Sequence, residues 1–166
     1  MIEDENKNIK QNNMENIKSN ELNITERHSL VQVDVNDKNL YKHVLEIRDW
    51  FTKEFNSSVE YLNEDDEKTL LYVLFSNDIP FATGRIFEKE DGFKLERIVV
   101  IPTERSKGIG KLLVKEMISI CRLKNKDKKI YLNANKLSKG FYLKLGFKSE
   151  GESFMEDGVE LFKVVL

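Results

Sequence analysis

Arg105, Ser106, Lys107, Gly108, Ile109, Gly110 and Lys111 follow one another without interruption. Their types and spacing suit one kind of ligand, an anion. Three side chains carry positive charge. Gly108 and Gly110 have no Cβ to hold a bulky anion away from the backbone. If a helix begins near Ile109, its first amides lack intrahelical acceptors and all point one way, where the helix dipole reinforces them. Spacing excludes two familiar phosphate loops. A nucleotide P-loop needs glycine, four residues, then Gly-Lys-Ser/Thr, but Arg105 and Leu112 stand at its first and last positions. A dinucleotide fingerprint needs a third glycine where Leu113 stands.

A strand and a helix must hold this loop. Leu95 to Ile101 reads as the strand, because Ile98, Val99, Val100 and Ile101 form a β-branched run suited to burial on both faces. Pro102 ends it. From about Gly108 to Asn125 the apolar period becomes helical, through Leu113, Met117, Ile120 and Cys121.

The surrounding chain supplies more elements. Leu30–Val35 alternates as a first strand, and Asn36 or Asp37 can cap a helix whose face carries Leu40, Val44, Ile47, Phe51 and Phe55. Asn56–Lys68 is polar and acidic, a loop or a short second helix. Leu70–Phe75, Ile79–Phe87 and the strand beginning near Leu95, joined at Asn77-Asp78 and Glu90-Asp91-Gly92, make an antiparallel meander. Pro80 stands at the start of the second of these strands, where proline is tolerated. Ile130–Ala134 is a strand, and Lys136–Leu145 is a helix stopped at Gly146. Phe147–Phe154 and Val159–Leu166 form a final hairpin around Asp157-Gly158. The order is that of a mixed α/β (α+β) layered domain.

Composition narrows the function classes. The 166 residues hold one domain, expected over 29–166, and residues 1–28 read as a disordered, asparagine-rich extension. A net charge of −2 gives no basic field for nucleic acid. The basic run Arg122, Lys124, Lys126, Lys128, Lys129 lies at a helix C-terminus, where cations offset the dipole, and no aromatic interleaves it. No apolar run spans a membrane, and no secretory signal opens the chain. Cys121 is the only cysteine, on the apolar face of a helix, so it reads as a core residue in a reducing, cytoplasmic protein. One cysteine and two distant histidines offer no zinc spacing, and no metal is expected.

The strand ending Val-x-Pro, the Arg-x-x-Gly-x-Gly loop and the helix together resemble motif A of the GNAT superfamily, the acyl-CoA-dependent N-acyltransferases. Asn133-Ala134-Asn135, followed by Phe141-Tyr142 and Gly146-Phe147, is similar to that family's second motif, with Ser138 where alanine is usual. Ile47-Arg48 with Phe51 and Glu54, then Ala82-Thr83-Gly84-Arg85 and Gly151–Gly158, is similar to the ElaA-like branch. Phe55 and Glu160-Leu161 depart from that branch's pattern at the acceptor end. The resemblance covers Leu30–Leu166 and implies a GNAT-type fold, a mostly antiparallel mixed sheet flanked by helices. It implies acetyl-CoA as cosubstrate, held by the amides and side chains of residues 98–100 and 105–111 and by Asn135. It also implies that Tyr142 lies near the thioester sulfur.

The implied reaction sets its own demands. A lysine-like amine, with pKa about 10.4, must lose a proton before attacking a thioester. An amide near Val99 or Val100 can stabilise the oxyanion. The leaving thiolate, with a parent pKa of about 8.5, is helped by an acid, for which Tyr142 is the candidate. Glu96 and Glu54 are the candidate bases, each also readable as a plain surface or salt-bridge carboxylate. Glu54 and Arg85 are the candidates on the acceptor side, where Arg85 can meet an acidic group of the acceptor or an acidic neighbour. The expected partner is a small-molecule amine or a peptide amine, with a homodimer left open. The alternative is a GNAT fold that binds CoA without turnover.

Overall fold

The computed structural model describes residues 28–55 and 65–166. The expected N-terminal extension up to residue 27 and most of the polar segment after the first helix lie outside the described residues. The elements are β1 (His28–Val33), α1 (Lys38–Phe55), β2 (Leu70–Ser76), β3 (Ile79–Lys89), β4 (Gly92–Val100), a single 3-10 turn (Pro102–Glu104), α2 (Ile109–Lys124), β5 (Lys129–Asn135), α3 (Lys136–Lys144), β6 (Lys148–Ser149), β7 (Phe154–Glu156) and β8 (Val159–Val165). The strands form one sheet in the order β1-β2-β3-β4-β5-β8-β6, with β7 also on β8. Every pairing is antiparallel except β4 with β5. The expected mixed, mostly antiparallel sheet flanked by helices is therefore the observed one.

Local chemistry explains the boundaries. Asp37 caps α1, its carboxylate accepting from the amides of Asn39 and Leu40 at 3.0 and 3.1 Å. Asn77 and Asp78 both take positive φ, as a two-residue hairpin of the twist-matching type requires. Gly146, at φ 99, ends α3: its amide bonds the Leu143 carbonyl and the Phe147 amide bonds that of Tyr142, a Schellman pattern. The final hairpin departs from expectation. Its first strand splits into β6 and β7, because five steps from Ser149 to Phe154 span only three on β8, from Val164 to Leu161. Gly151, at φ 75, lies in the excursion.

The sheet separates two cores. Leu71, Val73 and Val99 pack with Val33 beneath Val44 and Ile47 of α1. On the opposite face Tyr72, Leu74, Ile86, Leu95, Ile130 and Leu132 pack against Leu113, Met117 and Cys121 of α2 and Tyr142 of α3. Burial pushes the Cys121 thiol up to about 12, so it stays a protonated core residue at neutral pH. Arg122 donates to the carbonyls of Lys126, Lys128 and Leu166, while Lys124 and Lys128 pair with Glu88. Three members of the basic run, Arg122, Lys124 and Lys128, are thus used within the fold. No helix among the described residues is long and apolar enough to cross a membrane.

Candidate active site

The one parallel pairing is short. β4 and β5 are joined only at Gly92↔Lys129, Phe93↔Ile130 and Lys94↔Tyr131. Gly92 permits the close approach, since a Cβ there would collide with the Lys129 carbonyl. Beyond Lys94 and Tyr131 the two strands no longer pair, although β4 runs on to Val100 and β5 to Asn135. A central strand offers hydrogen-bonding groups to both neighbours. The stretch of β4 from Leu95 to Val100 therefore presents one row of them to an opening in the sheet.

That stretch is also irregular. Val99 faces Thr83 and Glu96 faces Arg85, so Arg97 and Ile98 together oppose the single residue Gly84. This is a β-bulge. Arg97 takes φ 52, a left-handed conformation uncommon for a residue with a side chain. At Gly84 an added Cβ would lie 2.8 Å from the Met117 sulfur, so glycine lets α2 lie close behind the bulge.

The loop that follows contains the residues expected to meet an anion. Ser106 and Gly108 take φ 62 and 84, and Gly108 caps α2 without any side-chain hydrogen bond. Leu112 is the first amide to bond back, to the Gly108 carbonyl at 3.0 Å. The amides of Ile109, Gly110 and Lys111 thus precede the helix's own ladder. A Cβ at Gly108 would meet nothing within 4 Å, so that position faces open space. At Gly110 a Cβ would instead lie 3.5 Å from the Phe141 ring and 3.7 Å from Val100. Those are ordinary contact distances, so this position is lined by Phe141 and Val100 rather than open, and only its amide remains for an anion. Lys107 pairs loosely with Glu104 at 3.3 Å.

Arg105 is engaged elsewhere. It forks onto both oxygens of Glu54 at 2.7 and 2.6 Å, and its Nε donates to the Val100 carbonyl at 2.9 Å. The hydrogen bond from Arg105 holds the Glu54 carboxyl below its ordinary range. Glu54 and Arg105 thus meet each other, tying the end of α1 to the loop.

Arg85 is held by two carboxylates. Its Nε and Nη2 donate to one oxygen of Glu96 at 3.0 and 2.7 Å, and its Nη1 donates to Asp65 at 2.9 Å. The other Glu96 oxygen pairs with Lys94. Burial raises the Glu96 carboxyl, but Lys94 and then Arg85 outweigh it and hold it below the ordinary range. Glu96 stands two residues beyond the last β4–β5 pair, at the base of the opening, and its charge is felt by Tyr131 of β5. The Asp65 side chain is fully buried and also accepts from Arg48 and from the Tyr41 hydroxyl. Burial raises its carboxyl, but Arg48 and then Arg85 draw it below the ordinary range. Asp65 escaped the sequence reading because one aspartate within an acidic stretch has no periodicity or spacing to mark it.

Across the sheet, Tyr142 is 8% exposed, its ring edge-on to Phe141 and Phe147 at centroid distances of 5.0 and 5.9 Å. Burial alone pushes its phenol up to about 12. Asn135 ends β5 and caps α3, its side-chain oxygen accepting from the Ser138 amide at 2.8 Å and hydroxyl at 3.0 Å. The hydroxyl of Ser138 therefore adds a capping bond that alanine could not make.

This fold, a sheet parted between two parallel strands with an uncapped helix start at one end, is that of an acetyltransferase domain. The chain belongs to the acetyltransferase (GNAT) domain family, whose model matches residues 28–166. It is 34% identical to the uncharacterised protein YyaT of Bacillus subtilis (strain 168) over 88 residues, 52% of this chain and 58% of that one. The crystal structure of Escherichia coli ElaA superposes with a TM-score of 0.73 at 22% identity, covering 82% of this chain and 98% of ElaA. An aminoglycoside 6'-N-acetyltransferase complexed with coenzyme A superposes with a TM-score of 0.67 at 16% identity, covering 83% and 96%. At those identities the structural likeness concerns the fold.

Proposed function

We propose that this protein is an N-acetyltransferase that moves acetyl from acetyl-CoA to an amine by direct attack, without an acyl-enzyme. The observation that carries the reading is the opening between β4 and β5, with the uncapped start of α2 at its end. The residues fit the cosubstrate. Amides of 109–111, the open face at Gly108, Lys107 and Lys111 suit a pyrophosphate. The unpaired stretch at Ile98–Val100 suits an extended amide-bearing chain, which can add to it as a strand does. Asn135 offers its side-chain NH2 from the facing strand.

The chain's own groups divide the work. An amide of the bulged strand near Val99 or Val100 donates to the oxyanion that forms as the amine attacks the carbonyl carbon. Tyr142 keeps its proton at neutral pH and gives it to the departing thiolate sulfur as the C–S bond breaks. Glu96 is ionised at neutral pH, with both of its oxygens taken by Arg85 and Lys94. Its lowered pKa makes it a weak proton acceptor, so the amine's proton leaves by way of water. A polyamine, an aminoglycoside, an amino acid or a peptide amine is the acceptor.

Free-thiol release from acetyl-CoA across a panel of those four amine classes tests the reading. The expected result is saturable release with at least one class and a product whose mass is raised by one acetyl group. Tight CoA binding with no release from any of them favours the alternative, a CoA-binding protein without turnover.

A further inference from the structure

We propose that Asp65 and Arg85 are positioning residues: through Glu96 they hold the bulge at Arg97, and so keep the β4 amides turned into the opening. The inference rests on the acyl-transfer reading above for its kinetic consequence, but its structural part stands alone.

Alternating charges form one continuous chain. Tyr41 and Arg48 of α1 bond Asp65, Asp65 bonds Arg85 of β3, Arg85 bonds Glu96 of β4, and Glu96 bonds Lys94. The inner members are cut off from water: Arg48 is 3% and Arg85 5% exposed, and the Asp65 side chain is fully buried. Inside a protein such bonds are strong, and each holds its partner in one geometry. The chain ends at Glu96, the residue immediately before Arg97. A left-handed arginine in a strand persists only where its surroundings over-determine it. Here Glu96 is pinned to β3 on one side of the bulge. On the other, Val99 pairs with Thr83, whose hydroxyl is tied at 2.8 Å to the Tyr72 carbonyl of β2.

The guanidinium fork matters more than its charge. Arg85 reaches Asp65 with one nitrogen and Glu96 with two others, which a single ammonium cannot do. A network that merely tied α1 to the sheet would need Arg48 and Asp65, but not the pair of bonds that Arg85 extends to Glu96.

Amide hydrogen exchange read residue by residue, with steady-state kinetics, tests this in Arg85→Lys and in the milder Tyr41→Phe. In Arg85→Lys, exchange at Arg97, Ile98 and Val99 should rise at least tenfold while amides in the middle of α2 keep their parent rates. With an acceptor found by thiol release, kcat should fall at least tenfold and the KM for acetyl-CoA should rise with it, because Ile98–Val100 are also proposed to receive the cosubstrate. Tyr41→Phe removes one bond to Asp65 and no charge, and should raise exchange at the same three amides about threefold. Exchange that is unchanged at 97–99, or that rises uniformly through the sheet, overturns the proposal. If Arg85→Lys does not fold, Tyr41→Phe decides by the same two criteria. Local loosening at 97–99 in a protein without turnover would leave the positioning role standing and remove the acetyltransferase reading.

Discussion

Tyr142 has two roles that separate at a single oxygen. Its ring fills the core beside Phe141 and Phe147, while its hydroxyl has no hydrogen-bond partner among the described residues. Tyr142→Phe keeps the packing and leaves no buried group unpaired, so stability should change by less than about 0.5 kcal/mol. If the phenol protonates the leaving thiolate, turnover should fall roughly 10²-fold with CoA affinity unchanged. Equal turnover would remove Tyr142 from the mechanism. The pKa gives a check that needs no acceptor. The folded value, about 12, lies above the ordinary phenol. The resulting stabilisation is complete below about pH 10 and is lost as pH rises through the folded value. The difference in tyrosinate absorbance between parent and Tyr142→Phe should therefore emerge near pH 12 and be absent near pH 10.

At the scale of an element, α3 begins on a residue with two duties. The side-chain oxygen of Asn135 caps the helix, and its NH2 is proposed to meet the cosubstrate. Aspartate keeps the first and loses the second. Asn135→Asp should keep or raise the melting midpoint, since an anion suits a helix N-terminus. Its CoA affinity should fall at least tenfold, about 1.4 kcal/mol. Asn135→Ala loses both and should be destabilised by about 1 kcal/mol. Calorimetry beside a thermal melt distinguishes them, and undiminished CoA binding by folded Asn135→Asp would take Asn135 out of the binding site.

For the whole molecule, the acid limb of stability should follow the buried network. Asp65 and Glu96 both have folded-state pKa values below their ordinary ones. Groups shifted that way stabilise above the unfolded pKa, about 3.9 for aspartate and 4.3 for glutamate, and lose that contribution as pH falls through the folded values. Urea unfolding should show a steep loss of stability below about pH 4. Asp65→Asn leaves Arg48 and Arg85 short of a countercharge and should be less stable at pH 7 by about 3 kcal/mol, the lower end for breaking a buried pair. Its further loss between pH 5 and pH 2 should be shallower than the parent's. Parallel curves would mean that Asp65 titrates as in the unfolded chain.

Much of this was legible in the chain itself. Leu113, Met117 and Cys121 mark the buried face of α2, and Val44 and Ile47 that of α1, because helical period sorts apolar residues without reference to any neighbour. Gly146 was readable as the end of α3 because the positive φ of such a stop selects glycine. The turn from β4 into α2 was readable because Pro102 and the glycines that follow it are local features. Other features depend on groups far apart in sequence. Arg105 and Glu54 are 51 residues apart, and Asp65 and Arg85 are 20 apart. A carboxylate looks the same in sequence whether water or a guanidinium surrounds it, so only the assembled sheet could show which of them are held in pairs. The parting of β4 from β5 was equally hidden, since no residue of either strand marks where the pairing stops and the opening is a property of their pairing alone. The Arg97 bulge belongs with these: nothing in Glu96-Arg97-Ile98 disfavours a regular strand, and the bulge exists because β3 faces it with one residue fewer.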